Sequence, residues 1–132
     1  MISTRGRYAV RVLIDLAEHR GEGYIPMREV AERQGISLKY LERIMPLLLK
    51  DALVDTLPGK GGGYRLNREP EEYVIGHILR LTEGNFAPVA CLECTADPCN
   101  REKECKTLPM WKGYQELSNR YFDGITLADL IG

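Results

Sequence analysis

No apolar run approaches the roughly twenty residues that a membrane-crossing helix needs, so no segment of this 132-residue chain is suited to span a bilayer. The opening stretch MISTRGRYAVRVL also lacks a signal-peptide core, because Arg11 and Asp15 fall where that core would lie. The expectation is a cytoplasmic protein. Charge of one sign is not in excess either: 18 Lys+Arg stand against 19 Asp+Glu. Such a balance argues against a protein that faces nucleic acid over its whole surface. There is no phosphate-cradling glycine motif, no nucleophile with a base at hand and no cofactor-binding pattern. That leaves a small thiol redox protein as the only enzymatic alternative. Cysteine is missing from the first 90 residues, and all four copies fall between 91 and 105. In a compartment that keeps thiols reduced, four cysteines so close together point to ligands or redox groups rather than disulfides.

The charge that is present is polarised. Residues 1–68 carry 12 Lys+Arg and 8 Asp+Glu, a net of +4, whereas residues 69–132 carry 6 and 11, a net of −5. The first part is therefore the one suited to face phosphates.

Within it, the segment PMREVAERQGISLKYLERIMPLLLKDALVDTLPGKGGGYRL, residues 26–66, orders its elements as helix, tight turn, helix and glycine-tipped hairpin. The first helix is predicted over 27–34, with Val30 and Ala31 inward and Gly35 as the left-handed stop. Ser37 is placed to cap the next helix. There Leu38, Leu41, Ile44, Met45, Leu48 and Leu49 recur at three- and four-residue steps, which leaves Ser37, Lys39, Tyr40, Glu42 and Arg43 outside. Pro46 should bend this helix without ending it. A strand over 53–57, a loop over 58–63 and a returning strand over 64–66 complete a wing, with Lys60 at its tip and Arg65 on its return. This is a winged helix-turn-helix. Polar side chains at the N-terminal end of its second helix suit the edges of a major groove, and a basic glycine loop suits phosphates or a minor groove. The expected partner is double-stranded DNA.

Around this unit, Tyr8, Ala9, Val12, Leu13, Leu16 and Ala17 form a helical stripe over 4–20, with Arg5, Arg7 and Arg11 on its first turns. The three arginines suit either a DNA backbone or plain solvation. A short strand at 24–25 is expected beside the wing. Another helix is predicted over 71–83, ended by Gly84, with His77 as a surface, core or ligand histidine. A last helix over 107–123 has a stripe of Leu108, Trp111, Tyr114, Leu117 and Tyr121, too large for so short a chain to cover. A two-fold contact through it is expected, giving a homodimer that reads a palindrome. Residues 125–131 should fold back as a short turn. The organisation is a DNA-binding domain at 1–68, followed by a connecting helix, cysteine loop (85–106) and dimerisation helix at 69–132. The fold class is mainly α with a small β-hairpin.

Cys91, Cys94, Cys99 and Cys105 are spaced C-x2-C-x4-C-x5-C. Thiolates at those separations can converge on one soft-metal centre, either tetrahedral zinc or an iron–sulfur cluster. Metal-free redox thiols are the remaining alternative.

The chain resembles the IscR/NsrR/CymR-type family of winged helix-turn-helix regulators over nearly its full length. The matching stretches are STRGRYAVRVLIDLA, VAERQGISLKYLERI, GKGGGYRL and CKTLPMW. The resemblance implies a homodimeric transcription regulator, a repressor, with crossing C-terminal helices, motif helices in major grooves and wings in minor grooves. It also implies base-facing roles for Ser37, Lys39 and Glu42. In members that sense iron, oxygen or nitric oxide, three loop cysteines hold an iron–sulfur cluster; here they correspond to Cys91 or Cys94, Cys99 and Cys105. On this basis a 2Fe–2S cluster is expected ahead of a 4Fe–4S one. Two departures stand out: the histidine of the IscR type is replaced by Leu108 and the first-helix aspartate of NsrR-like members by Tyr8. Cys94 is the substitute ligand. The arginine that the IscR type carries in the wing is Pro58 here, so a contact there falls to Lys60 or Arg65. CymR-like members act through a partner enzyme and lack the cysteines.

Overall fold

The computed structural model describes residues 2–84, 92 and 105–131. Its first helix, α1 (Thr4–Glu18), starts where the Ser3 side chain accepts from the Gly6 amide, and it buries Ala9, Val12, Leu13, Leu16 and Ala17 as the apolar period requires. It ends two residues earlier than expected. His19 caps it with a backbone N–H shared between Ala17 and Asp15, and positive-φ glycines at 21 and 23 follow.

Helices α2 (Met27–Gln34) and α3 (Leu38–Lys50) form the helix-turn-helix. Gly35 has φ 65°, the left-handed conformation that closes α2 without a Cβ penalty. Ser37 accepts from the Tyr40 amide at 3.1 Å and starts α3, which runs on through Pro46 as a single helix. Leu41, Ile44, Met45 and Leu48 are fully buried beneath it.

The wing is an antiparallel pair, β1 (Val54–Leu57) and β2 (Gly63–Leu66), in register Val54↔Leu66 to Leu57↔Gly63. In place of the short strand expected at 24–25, a single isolated bridge joins Ile25 to Tyr64 beside the wing. Glycine is needed here for proximity: a Cβ on Gly62 would lie 1.9 Å from the Leu57 carbonyl oxygen, and one on Gly63 would lie 2.2 Å from that of Ile25.

The helix expected over 71–83 is divided. A 3-10 turn, Pro70–Glu72, comes first, then two extended residues, then α4 (Ile75–Glu83). The cause lies about fifty residues away. Leu127 donates its amide to the Tyr73 carbonyl and Ile75 donates to the Ile125 carbonyl, both at 2.8 Å, and Val74 bridges Thr126. These pairings use the backbone groups that a continuous helix would have used. Helix α5 (Leu108–Asp123) begins one residue after the expected start, and α6 (Leu127–Leu130) is the short final turn.

One core joins all of this. It runs from Ala9 on α1 through Val30, Leu41, Ile44 and Leu48 to Tyr73, Ile78, Leu79 and Leu127, so residues on both sides of position 68 share it. Tyr73 is 1% exposed, and its hydroxyl donates to the Leu53 carbonyl at 2.6 Å while accepting from the Asn67 amide at 3.3 Å. Burial pushes its phenol pKa up. This one side chain fastens the base of the wing to the start of α4.

Candidate nucleic-acid interface

The outward face of α3 is mainly polar at its N-terminal end because Leu41, Ile44, Met45 and Leu48 are spent on the core, whereas Leu38, expected inward, lies one turn before that buried set and is exposed. Ser37, Lys39, Glu42 and Arg43 are exposed on consecutive turns. The Ser37 hydroxyl also caps the helix, and that bond fixes its direction. Tyr40 differs from its expected outward placement. It is half-buried, with its ring edge-on to Tyr8 at a centroid distance of 5.3 Å. An aromatic ring flanked by another one gains more from that contact than from water.

In the wing, Lys60 is exposed between Gly59 and Gly61, both of which have positive φ. Arg65 is at the wing's base rather than its tip. Its guanidinium lies 4.3 Å from the centroid of the Tyr24 ring and 3.8 Å from an Asp55 carboxylate oxygen. The α1 arginines have partners of their own. Arg5 donates to the Thr82 carbonyl at 2.5 Å, and Arg7 donates to the Thr4 hydroxyl at 3.0 Å. Arg11 donates to both the side-chain and backbone carbonyls of Gln34.

Sequence reasoning missed the polar cluster beneath the motif. Asp15 is 1% exposed, yet Arg33 donates to it twice, at 2.7 and 3.1 Å, and Gln34 donates at 3.0 Å. Burial alone would raise the Asp15 pKa. The hydrogen bonds from Arg33 and Gln34, with the charges of Arg33 and His19, outweigh it and hold the carboxyl below its ordinary 3.8. An aspartate inside an apolar stripe was the available signal, but nothing in the sequence named partners eighteen and nineteen positions away.

Of the four cysteines, only Cys105 is among the described residues; positions 91, 94 and 99 lie outside them. Cys105 is half-buried just before α5, its sulfur 3.4 Å from the Thr107 hydroxyl. Among the described residues, no group of three His, Cys, Asp or Glu side chains is placed to hold a metal. His77 is instead 2.5 Å from Asp51, on the surface.

Comparison with known proteins bears on this arrangement. The sequence profile of the Rrf2 family, described as an iron-dependent transcriptional regulator, matches residues 2–132. The chain belongs to the Rrf2 family. Its relatives include the HTH-type transcriptional regulators IscR of Aliivibrio salmonicida and of Serratia proteamaculans. The first is 35% identical over 98% of this chain and 76% of that protein, and the second is 34% identical over 98% and 78%. Among solved structures, CymR (YrzC), the global cysteine regulator of B. subtilis, is similar with a TM-score of 0.78 and 35% identity over 98% of this chain and 95% of that one. T. potens IscR is similar with a TM-score of 0.76 and 35% identity over 98% and 85%. This Rrf2 chain is thus a transcriptional regulator and not an enzyme, built as a winged helix-turn-helix with a long C-terminal helix. No helix among its described residues is long and apolar enough to cross a membrane.

Proposed function

We propose that this Rrf2 regulator reads a palindromic DNA operator as a homodimer in the cytoplasm and represses from it, with a cluster at its cysteine loop biasing the affinity. The observation that carries the DNA reading is the exposed polar end of α3, Ser37, Lys39, Glu42 and Arg43, with a basic, glycine-flanked wing tip at Lys60 in the same domain. In this reading Ser37, Lys39 and Glu42 meet base edges, while Arg43 and Lys60 meet phosphates. Residues 1–68 do the reading and residues 69–132 serve assembly and sensing. Arg5, Arg7, Tyr40 and Arg65, each held by a neighbour, contribute by fixing the surface more than by reaching out from it.

Support for the homodimer comes from α5. None of its residues is buried, and Met110, Tyr114, Leu117 and Tyr121 are 56–66% exposed. Beside it lies an open, mainly apolar groove of about 470 Å³ lined by Ile2, Tyr8, Val10, Ile75, Leu79 and Phe122, with Arg7 and Arg11 also on its wall. A second copy of α5 is the apolar partner that these surfaces lack.

For the cofactor, the donor set is the four thiols. Leu108 starts α5 with no ligating atom, and Tyr8 is engaged with Tyr40, so neither position replaces a missing histidine or aspartate. Cys91, Cys94, Cys99 and Cys105 would hold a 2Fe–2S cluster, with 4Fe–4S as the alternative form. When bound, such a cluster supplies a cross-link between thiolates that oxidation or iron loss removes. A structural zinc or a metal-free thiol switch on the same cysteines is the second reading, since four thiolates suit tetrahedral zinc as well as a cluster. The fold likeness to both IscR and CymR does not separate these readings.

The test is anaerobic purification with iron, zinc and sulfide analysis, followed by selection of duplexes from a randomised pool by holo and apo protein. Selection of a palindrome, affinity that falls steeply with salt, and an affinity difference between the two forms support the reading. Equal affinities with the cluster confirmed in one sample and absent in the other defeat the sensing role. Selection of no sequence defeats the DNA-reading role.

A further inference from the structure

Arg11 ties α1 to the joint between the two helices of the motif. Its Nε donates to the Gln34 side-chain oxygen at 3.2 Å, and a terminal nitrogen donates to the Gln34 backbone carbonyl. Gln34 is the last residue of α2, and the carbonyl Arg11 takes is among those a helix end leaves without an internal partner. The same guanidinium lies 5.4 Å from the centroid of the Tyr8 ring, and Tyr8 meets Tyr40 on the first turns of α3. Gln34 in turn donates to buried Asp15, which also holds Arg33. One cation thus contacts the end of α2 directly and the start of α3 through a ring.

The joint itself is a tight turn. It is three residues long, 35–37, with a glycine at φ 65° around which a Cβ would meet nothing within 4 Å. From within it is held by the burial of Ile36, by the Gly35 and Ile36 amides donating to the Ala31 carbonyl, and by the Ser37 hydroxyl accepting from the Tyr40 amide. A tight turn with an open glycine can hinge. A hinge of a few degrees at α3 misplaces side chains that must meet base edges, while leaving phosphate attraction nearly unchanged.

We propose that Arg11, acting with Tyr8, is a positioning residue for sequence reading: it sets the α2–α3 angle and touches no DNA. This rests on the DNA-reading function proposed above. It distinguishes Arg11 from the surface arginines around it, which the sequence alone could not do.

The experiment compares affinities for a selected operator and for a scrambled duplex of the same length across a salt series. The proteins are the full chain, Arg11→Ala, Arg11→Lys, Tyr8→Leu and Tyr8→Phe, each checked by thermal unfolding. Arg11→Ala and Tyr8→Leu should lose about tenfold in operator affinity, about 1.4 kcal/mol. Both should bind the scrambled duplex within about twofold of the parent, with the same salt slope. Arg11→Lys keeps the charge but cannot reach both acceptors and stack, so it should resemble Arg11→Ala. Tyr8→Phe keeps the ring and should restore selectivity. A parallel loss on both duplexes with a shallower salt slope would make Arg11 a phosphate contact and overturn the proposal. Unchanged selectivity in Arg11→Ala and Tyr8→Leu would overturn it as well. If the parent itself selects no sequence, the DNA-reading function fails and this proposal falls with it. If Arg11→Ala proves too unstable to assay, the Tyr8→Leu and Tyr8→Phe pair decides alone.

Discussion

Helices α3 and α5 are 13 and 16 residues long, and both carry apolar stripes at helical spacing, yet they end in opposite states. In α3 Leu41, Ile44, Met45 and Leu48 are at most 1% exposed, Leu49 is half-buried and Leu38 alone of the stripe is exposed, beside serine, lysine, glutamate and arginine. In α5 nothing is buried, and what faces outward includes two tyrosines, a leucine and a methionine. Periodicity alone therefore says that a face is apolar without saying who covers it. The covering depends on neighbours: α3 is seated on α1 and α2, whereas α5 touches mainly α4. A helix satisfied by its own chain is free to offer its polar side to a ligand. One left unsatisfied keeps an apolar face in water.

The comparison breaks if equivalent truncations in the two helices cost the same. Leu41→Ala removes a fully buried side chain from α3 and should cost about 3–5 kcal/mol of folding stability, read as a lowered urea midpoint. Beneath the same helix pair, Asp15→Asn should cost about 2–3 kcal/mol near neutral pH, since Arg33 loses its partner but keeps access to water. Its pH course has a definite sign. A carboxyl whose folded pKa is depressed stabilises fully above its unfolded value, about 3.9, and stops doing so as pH falls through the lower folded value. The gap between parent and Asp15→Asn, followed by denaturation at each pH, should stay constant from about pH 5 to 8 and close below about pH 4.

In α5 the matching change is Leu117→Ala, at a residue 62% exposed. At concentrations where the protein is monomeric it should alter stability by under about 0.5 kcal/mol. In sedimentation it should raise the dimer dissociation constant about tenfold, because a central apolar anchor is worth about 1–2 kcal/mol. An unchanged dissociation constant would leave the exposed stripe unexplained. The smallest effect expected is a gain. Ala52, just after α3, has φ 56°, a conformation that costs an L-residue roughly 1–2 kcal/mol. Ala52→Gly should recover part of that, about 0.5–1 kcal/mol after the added freedom of the unfolded chain is counted, visible as a rise in melting temperature.

Legibility from sequence followed the range of the forces involved. Helices α2 and α3, the Gly35 turn, the Ser37 cap and the Lys60 loop were readable because their signals lie within a few residues. The break between Pro70–Glu72 and α4 was not, because Tyr73 and Val74 stay extended only through partners at 125–127. Nor was the inward turn of Tyr40, which depends on a ring 32 positions earlier. For the cysteines, spacing remains the main guide, with only Cys105 among the described residues.

The bond between Leu127 and Tyr73 reaches beyond packing. Leu127 is fully buried in the same core as Ala9, and the Tyr73 it pairs with also fastens the wing. During synthesis, at roughly 5–20 residues per second, residues 1–68 would all be made long before Leu127 leaves the ribosome. Until then the floor under the wing and α1 stays open, with apolar surface facing water. Residues 1–68 therefore cannot complete their core until the segment that follows the cysteines has been made.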